Sequence, residues 1–160
     1  MADLKQLYGQ DFVAWSKQQA EALRAAARTG SNQLLDWENL AEEIEDLGTS
    51  QRSALGSLIM RIVQHLVKLE YSPSIEPRSG WRRTIRLARL QAQRRIADSP
   101  SLKPELGRIV EDETGRGIEL AIADLEEYGE IDEVEANVLR RARYTEAQVL
   151  AEWFPEEPAR

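Results

Sequence analysis

Three adjacent apolar pairs, Leu58-Ile59, Ile62-Val63 and Leu66-Val67, recur every four residues. That spacing holds the pairs on one side of an α-helix. A stripe two residues wide is apolar around more than one face, so the segment must be buried on several sides. A chain organised around such a helix is a helical bundle. Elsewhere Phe12, Trp15, Gln19, Leu23 and Ala26 repeat at helical spacing, as do Leu40, Ile44 and Leu47, and convincing strand alternation is missing. The sequence therefore predicts an all-α fold: an irregular bundle of about five to six helices around a central buried helix at about 50–69.

Gly30 reads as a C-terminal glycine, and Asp36 as an N-cap with Glu38 in the first turn. Gly48-Thr49-Ser50 favours a break or bend, with one long helix from about Asp36 to about Leu69 as the alternative. Pro73 and Pro77 make Tyr71 to Gly80 a loop, after which Ser79 caps a helix from Trp81 to about Ala97. Ser101 caps the next helix, with Pro104 in its first turn, and Tyr128-Gly129 ends it. Ile131 to Arg141 is expected to be helical, as is a short segment around Ala147 to Trp153, stopped by Pro155. Without an internal repeat or low-complexity linker, the 160 residues read as a single helical domain.

Cysteine is absent, which removes zinc-thiolate sites, thiol nucleophiles and disulfides and suits a reducing, cytoplasmic setting. The N-terminus has no apolar signal-peptide core. The longest apolar candidate, Leu58 to Leu69, is interrupted by Arg61, Gln64, His65 and Lys68, so no membrane span is expected. A formal net charge of −7 argues against bulk nucleic-acid binding and leaves room for a local basic patch. There is no phosphate-cradling glycine loop, nucleophile elbow or zinc-spaced cluster, so no cofactor is implied.

A longer pattern runs along the chain. Asp11-Phe12 and Trp15 are followed by the run Leu35 to Glu45 (LDWENLAEEIE) with Leu47-Gly48. His65-Leu66 and Lys68 come next, then Ser79, Trp81-Arg82, Thr84-Ile85 and Arg89. Ser99-Pro100-Ser101-Leu102 and Tyr144-Thr145 with Gln148-Val149-Leu150 complete the order. This pattern resembles the bacterial domain of unknown function family 29 over nearly the whole chain, departing from it around Ile109 to Ala136, where the segment is acidic. The resemblance implies an all-helical fold and no known activity.

Three constellations carry chemical interest. Glu42, Glu45 and Asp46 share a helix face and are weak metal-ligand candidates, although a solvated helix face has the same pattern. A metal-dependent hydrolase or nuclease would use them, with Glu43 turned elsewhere toward an arginine. His65 is the only histidine, with Lys68 one turn on, and position 62 is Ile, so a paired Glu-x-x-His metal site is not available. On one straight helix Glu42 and His65 would lie about 35 Å apart at ~1.5 Å per residue, whereas a reversal at Gly48 would return His65 to Asp36 and Trp37. The arginine run is the most informative. Arg78, Arg82, Arg83, Arg86, Arg89, Arg94 and Arg95 fall within one helix and its cap with no acid until Asp98, and Arg82, Arg86 and Arg89 align beside Trp81. That stripe either pairs internally with the acidic segment 105–135 or binds an acidic protein or a nucleic acid. The candidate surface is thus Asp36, Trp37, Glu42, Glu43, His65, Lys68, Trp81, Arg82, Arg86 and Arg89. Leu150, Trp153 and Phe154, if exposed, would favour a homodimer. The best reading is a non-catalytic interaction module.

Overall fold

Several helix starts are set by polar side chains that satisfy otherwise orphaned amides. The structure, a computed structural model, describes residues 3–30 and 33–158. Asp3 accepts from the Lys5 amide and starts a first helix, Leu4–Gln10 (α1). Asp11 is extended, ends α1, and caps Phe12–Arg28 (α2) by accepting from the Ala14 amide at 2.9 Å. Gly30 follows α2 at φ 73, the left-handed conformation in which glycine carries no Cβ penalty. Asp36 caps Trp37–Tyr71 (α3), accepting from the Asn39 amide. The remaining helices are Arg78–Asp98 (α4), Leu106–Glu127 (α5), Glu133–Leu139 (α6) and Glu146–Leu150 (α7), with a 3-10 helix at Pro100–Glu105. Gly129 ends α5 at φ 66.

The fold is all-α, with no strand among the described residues. The seven α-helices among the described residues exceed the expected five to six chiefly because Asp11 cuts off α1 as a helix of its own. Four local expectations change. α3 runs unbroken through Gly48, and the chain does not reverse there. Gly48 is buried against α2, where a Cβ would meet the Ser16 hydroxyl, so its place is a close helix approach, not a cap. α4 starts at Arg78, not Trp81: the first helical bond runs from the Trp81 amide to the Pro77 carbonyl, and Ser79 already lies inside the helix. Ser101 is not an N-cap. It sits in the 3-10 helix and gives its amide and hydroxyl to Asp11 at 2.6 and 2.8 Å. α6 and α7 are shorter than expected, started by capping boxes of Asp132 with Glu135 and of Thr145 with Gln148.

Main-chain packing divides the chain into two compact units. The first comprises Met1–Leu55 and Arg95–Pro104. In it Ser16, Ala20, Ala41, Leu55 and Leu102 are buried, and Tyr8 packs edge-on against Phe12 and Trp15. The second comprises Gly56–Arg94 and Glu105–Arg160. Here the paired apolar residues of α3 do what their spacing predicted: Ile59, Ile62, Val63, Leu66 and Val67 are fully buried. Ile85 and Ala88 of α4, Ile118, Ala121 and Ile122 of α5, and Leu139 of α6 are buried in the same unit. Each of the buried Val, Ile and Leu side chains contributes about 1.5–3 kcal/mol on leaving water. Gly117 lets α5 approach α3 closely, because a Cβ there would lie 2.7 Å from the Met60 carbonyl oxygen and 2.8 Å from Val63 Cβ.

Candidate functional site

The second unit holds most of the arginine run, and the structure sorts it by direction. Pro73 and Pro77 hold the α3–α4 connection out of helix, leaving Arg78 to turn inward. Its Nη1 and Nη2 donate to the carbonyls of Ser72 and Leu69 at 3.2 and 2.5 Å, capping the end of α3. Arg82 is half-buried and donates to Glu157 at 3.0 Å. Arg89 is 5 % exposed, which is unusual for a cation, and it is satisfied by the main chain. Its Nε donates to the Val149 carbonyl at 2.8 Å, and its Nη2 to the carbonyls of Gln148 and Trp153 at 2.8 and 2.7 Å. Burial pulls its pKa down, yet a guanidinium remains charged across the physiological range. The Phe154 ring lies 5.0 Å from the Arg89 guanidinium and 5.3 Å from that of Arg86.

The stripe aligned at 82, 86 and 89 is therefore largely a clamp on the chain's own C-terminal segment. Arg82 and Arg89 turn to residues 148–157 rather than to the acidic stretch 105–135. That stretch has its own partners, including Arg116 for Glu113, Arg140 for Glu119 and Lys68 for Asp124. Leu150, Trp153 and Phe154 are half-buried, not exposed, because this clamp holds them. Tyr144 anchors the same segment by donating to Glu70 at 2.6 Å, and burial first, then this carboxylate, pushes its pKa up.

A different face of α4 remains open. At 100° per residue, Arg83, Arg86, Leu87, Leu90 and Arg94 fall within an arc of about 100°. All five are exposed, the leucines by 51 % and 62 %. Arg83 and Arg94 have no ion-pair or hydrogen-bond partner among the described residues. The 83–87–90–94 spacing was present in the sequence. Spacing alone does not separate it from the neighbouring stripe beside Trp81 and Ile85, of which Arg82 and Arg89 turn to the C-terminal segment.

Lys68 meets Trp81 of α4, with the ammonium 5.0 Å from the ring centre. The structure adds Asp124, which accepts from Lys68 at 2.8 Å and from Gln64 at 2.9 Å. Lys68, Trp81 and Asp124 line a cleft of about 280 Å³ with Ser74, Tyr128 and Glu130. Burial pushes the Asp124 carboxyl up, but the hydrogen bonds from Lys68 and Gln64 outweigh it and leave the group below its ordinary range. His65 is half-buried, its Nδ1 2.8 Å from the Arg61 carbonyl. Burial lowers its pKa below the ordinary 6.5, more than the Arg61 carbonyl raises it. A histidine with a lowered folded-state pKa adds stability above its unfolded pKa that is lost as pH falls toward the folded value. Urea unfolding should therefore show stability declining as pH drops from about 7 to 5, with a shallower decline in His65→Gln. Equal slopes would mean that His65 is not held neutral by its surroundings.

The other candidates belong to the first unit. Asp36 is exposed and serves as the α3 cap; Trp37 is half-buried; Glu42, Glu43 and Asp46 are exposed. Glu45 accepts from Arg24 at 2.7 Å. That ion pair raises the Arg24 pKa, and it draws Glu45 toward α2. Among the described residues no group of three or more His, Asp or Glu side chains is placed to hold a metal ion, which includes Glu42, Glu45 and Asp46. No described helix is long and apolar enough to cross a membrane.

The family model "Domain of unknown function DUF29" matches residues 7–154. The chain belongs to the DUF29 family. This DUF29 protein is also similar to the crystal structure of an alpha-helical protein of unknown function from Rhodospirillum rubrum. Identity is 26 % and the TM-score 0.73, covering 92 % of this chain and 91 % of that one. No curated protein matches it. Neither the family nor the neighbour carries an assigned activity, so the DUF29 site has to be read from its own residues.

Proposed function

We propose that the 160-residue chain acts as one domain, a helical interaction module, and that the outer face of α4 binds an acidic, partly apolar segment of a partner protein. The observation that carries this reading is the exposure of Leu87 and Leu90 between three exposed arginines, two of which lack a partner among the described residues. Burying two leucines supplies affinity, and the arginines supply orientation and a faster encounter. The face is short, about 16 Å from Arg83 to Arg94 at ~1.5 Å per residue. A short acidic helix covers such a length. A nucleic-acid duplex would overrun it onto a body whose net charge is −7. The reading includes a cytoplasmic setting, which a cysteine-free chain suits.

The test is site-specific photocrosslinking in cells, with the crosslinker at Leu87 or Leu90 and, as a control, at exposed Ala123 on α5. Discrete protein adducts are expected at the two α4 positions, joined through Asp- and Glu-rich peptides. They should disappear in the double variant Arg83→Glu/Arg94→Glu, whose exposed sites change stability by no more than about 0.5 kcal/mol. Crosslinking no stronger at Leu87 and Leu90 than at Ala123, or crosslinking mainly to nucleic acid, would defeat the proposal.

A further inference from the structure

The first turn of α4 borders a cleft of about 310 Å³ whose lining includes Tyr71, Ile75, Arg78, Ser79, Arg82 and Glu157. Two sources of positive potential meet in it. One is the N-terminal end of a 21-residue helix. The first helical bond there is from Trp81 to Pro77, and among the described residues the amides of Ser79 and Gly80 donate to no carbonyl. Ser79 and Gly80 are exposed, and a Cβ added to Gly80 would meet nothing within 4 Å.

The other source is Arg78. It is 6 % exposed, and its two terminal nitrogens are used on the carbonyls of Ser72 and Leu69. Its Nε is buried and has no hydrogen-bond partner. Buried donors are nearly always paired, and Arg78, which borders the cleft, keeps one buried donor able to take an acceptor from a bound group. Glu157 falls short of that role: its Oε1 is 3.0 Å from Arg82 Nη2 but 3.8 Å from Arg78 Nε, beyond hydrogen-bond reach. Its side chain is 57 % exposed, and it sits in the irregular C-terminal segment after α7.

We propose that this cleft binds a phosphate group, and that Glu157 is the chain's own displaceable occupant. A planar carboxylate tethered through Glu157 hydrogen-bonds Arg82 but reaches Arg78 Nε only at 3.8 Å, without a hydrogen bond. A tetrahedral phosphate offers oxygens in several directions, enough to engage Arg78 Nε, Arg82 and the exposed helix end together. The site is separate from the outer face of α4 and does not depend on it.

The experiment is calorimetric and NMR titration of the full chain with inorganic phosphate, comparing wild type, Glu157→Gln and Glu157→Gln/Arg82→Gln. Arg78 is left intact because it caps α3. Glu157→Gln should bind phosphate at least about tenfold more tightly than wild type, since a competing charge-assisted pair is removed. Adding Arg82→Gln should reverse that gain. The Ser79 and Gly80 amides and the Arg78 Nε–H should shift on titration, and acetate should not reproduce the effect. Repeating it with a sugar phosphate and a phosphoserine peptide assigns the source, a metabolite or a phosphoprotein, by which ester binds more tightly. Matched melting temperatures confirm that the variants are folded. No saturable phosphate binding in Glu157→Gln, binding unaffected by Arg82→Gln, or shifts confined to another surface would each overturn the assignment.

Discussion

Arg89→Ala is expected to destabilise the protein by on the order of 3–5 kcal/mol, since it strips charge-assisted donors from three carbonyls at once. Gln148, Val149 and Trp153 all present their carbonyl oxygens to this one guanidinium, which also lies against Phe154. Truncation leaves those acceptors without their donor and opens a space beside the ring. Arg89→Lys should recover little, because a single ammonium cannot reproduce a planar fork that reaches three acceptors. Chemical denaturation measures the loss. Hydrogen exchange locates it, with amides of residues 146–154 losing protection before the rest of the second unit. If Arg89→Lys proved as stable as wild type, the fork geometry would not be what holds the C-terminal segment.

Gly117→Ala should cost about 2 kcal/mol even though alanine is the better helix former by ~1 kcal/mol. The new methyl would stand 2.7 Å from the Met60 carbonyl oxygen, a main-chain atom that cannot move without shifting α3. Gly115, two residues earlier on the same helix, provides the opposite case. It is exposed, and a Cβ there meets nothing within 4 Å. Gly115→Ala should therefore stabilise by up to ~1 kcal/mol through propensity alone. Thermal unfolding of the pair separates packing from propensity; a stabilised Gly117→Ala would show that α3 and α5 are not in close approach.

Those two glycines also show what a sequence can disclose. Gly30 and Gly129 were readable because their work is local, closing the helix just before them in the left-handed conformation. Asp36 was readable for the same reason, since a cap and its amide are neighbours in sequence. The buried part of α3 was plain from its paired apolar residues, as burial on several sides leaves no room for a polar stripe. Gly48 and Gly117 were not readable. Their neighbours, Ser16 for one and Met60 and Val63 for the other, lie more than thirty residues away, and nothing nearby separates a glycine that admits another helix from one that ends its own. The same reason explains the arginines. Which of Arg82, Arg83, Arg86, Arg89 and Arg94 faces water depends on where residues 148–157 return to α4, not on spacing within α4. Lys68 was readable only as a neighbour of His65 one turn before it, whereas Trp81 from α4 and Asp124 from α5 reach it across the fold and carry no local signal of that role.

Asp11 links two distant moments in the life of the chain. Its carboxylate caps α2 and also receives the amide and hydroxyl of Ser101, ninety residues later. At a synthesis rate of about 5–20 residues per second, α2 precedes that partner by roughly 5 to 18 s. During that interval the beginning of α2 has its cap but not its clasp. The first unit can close only when the middle of the chain has been made, so a nascent protein stalled short of Ser101 would present α1 and α2 to chaperones as an unfinished pair.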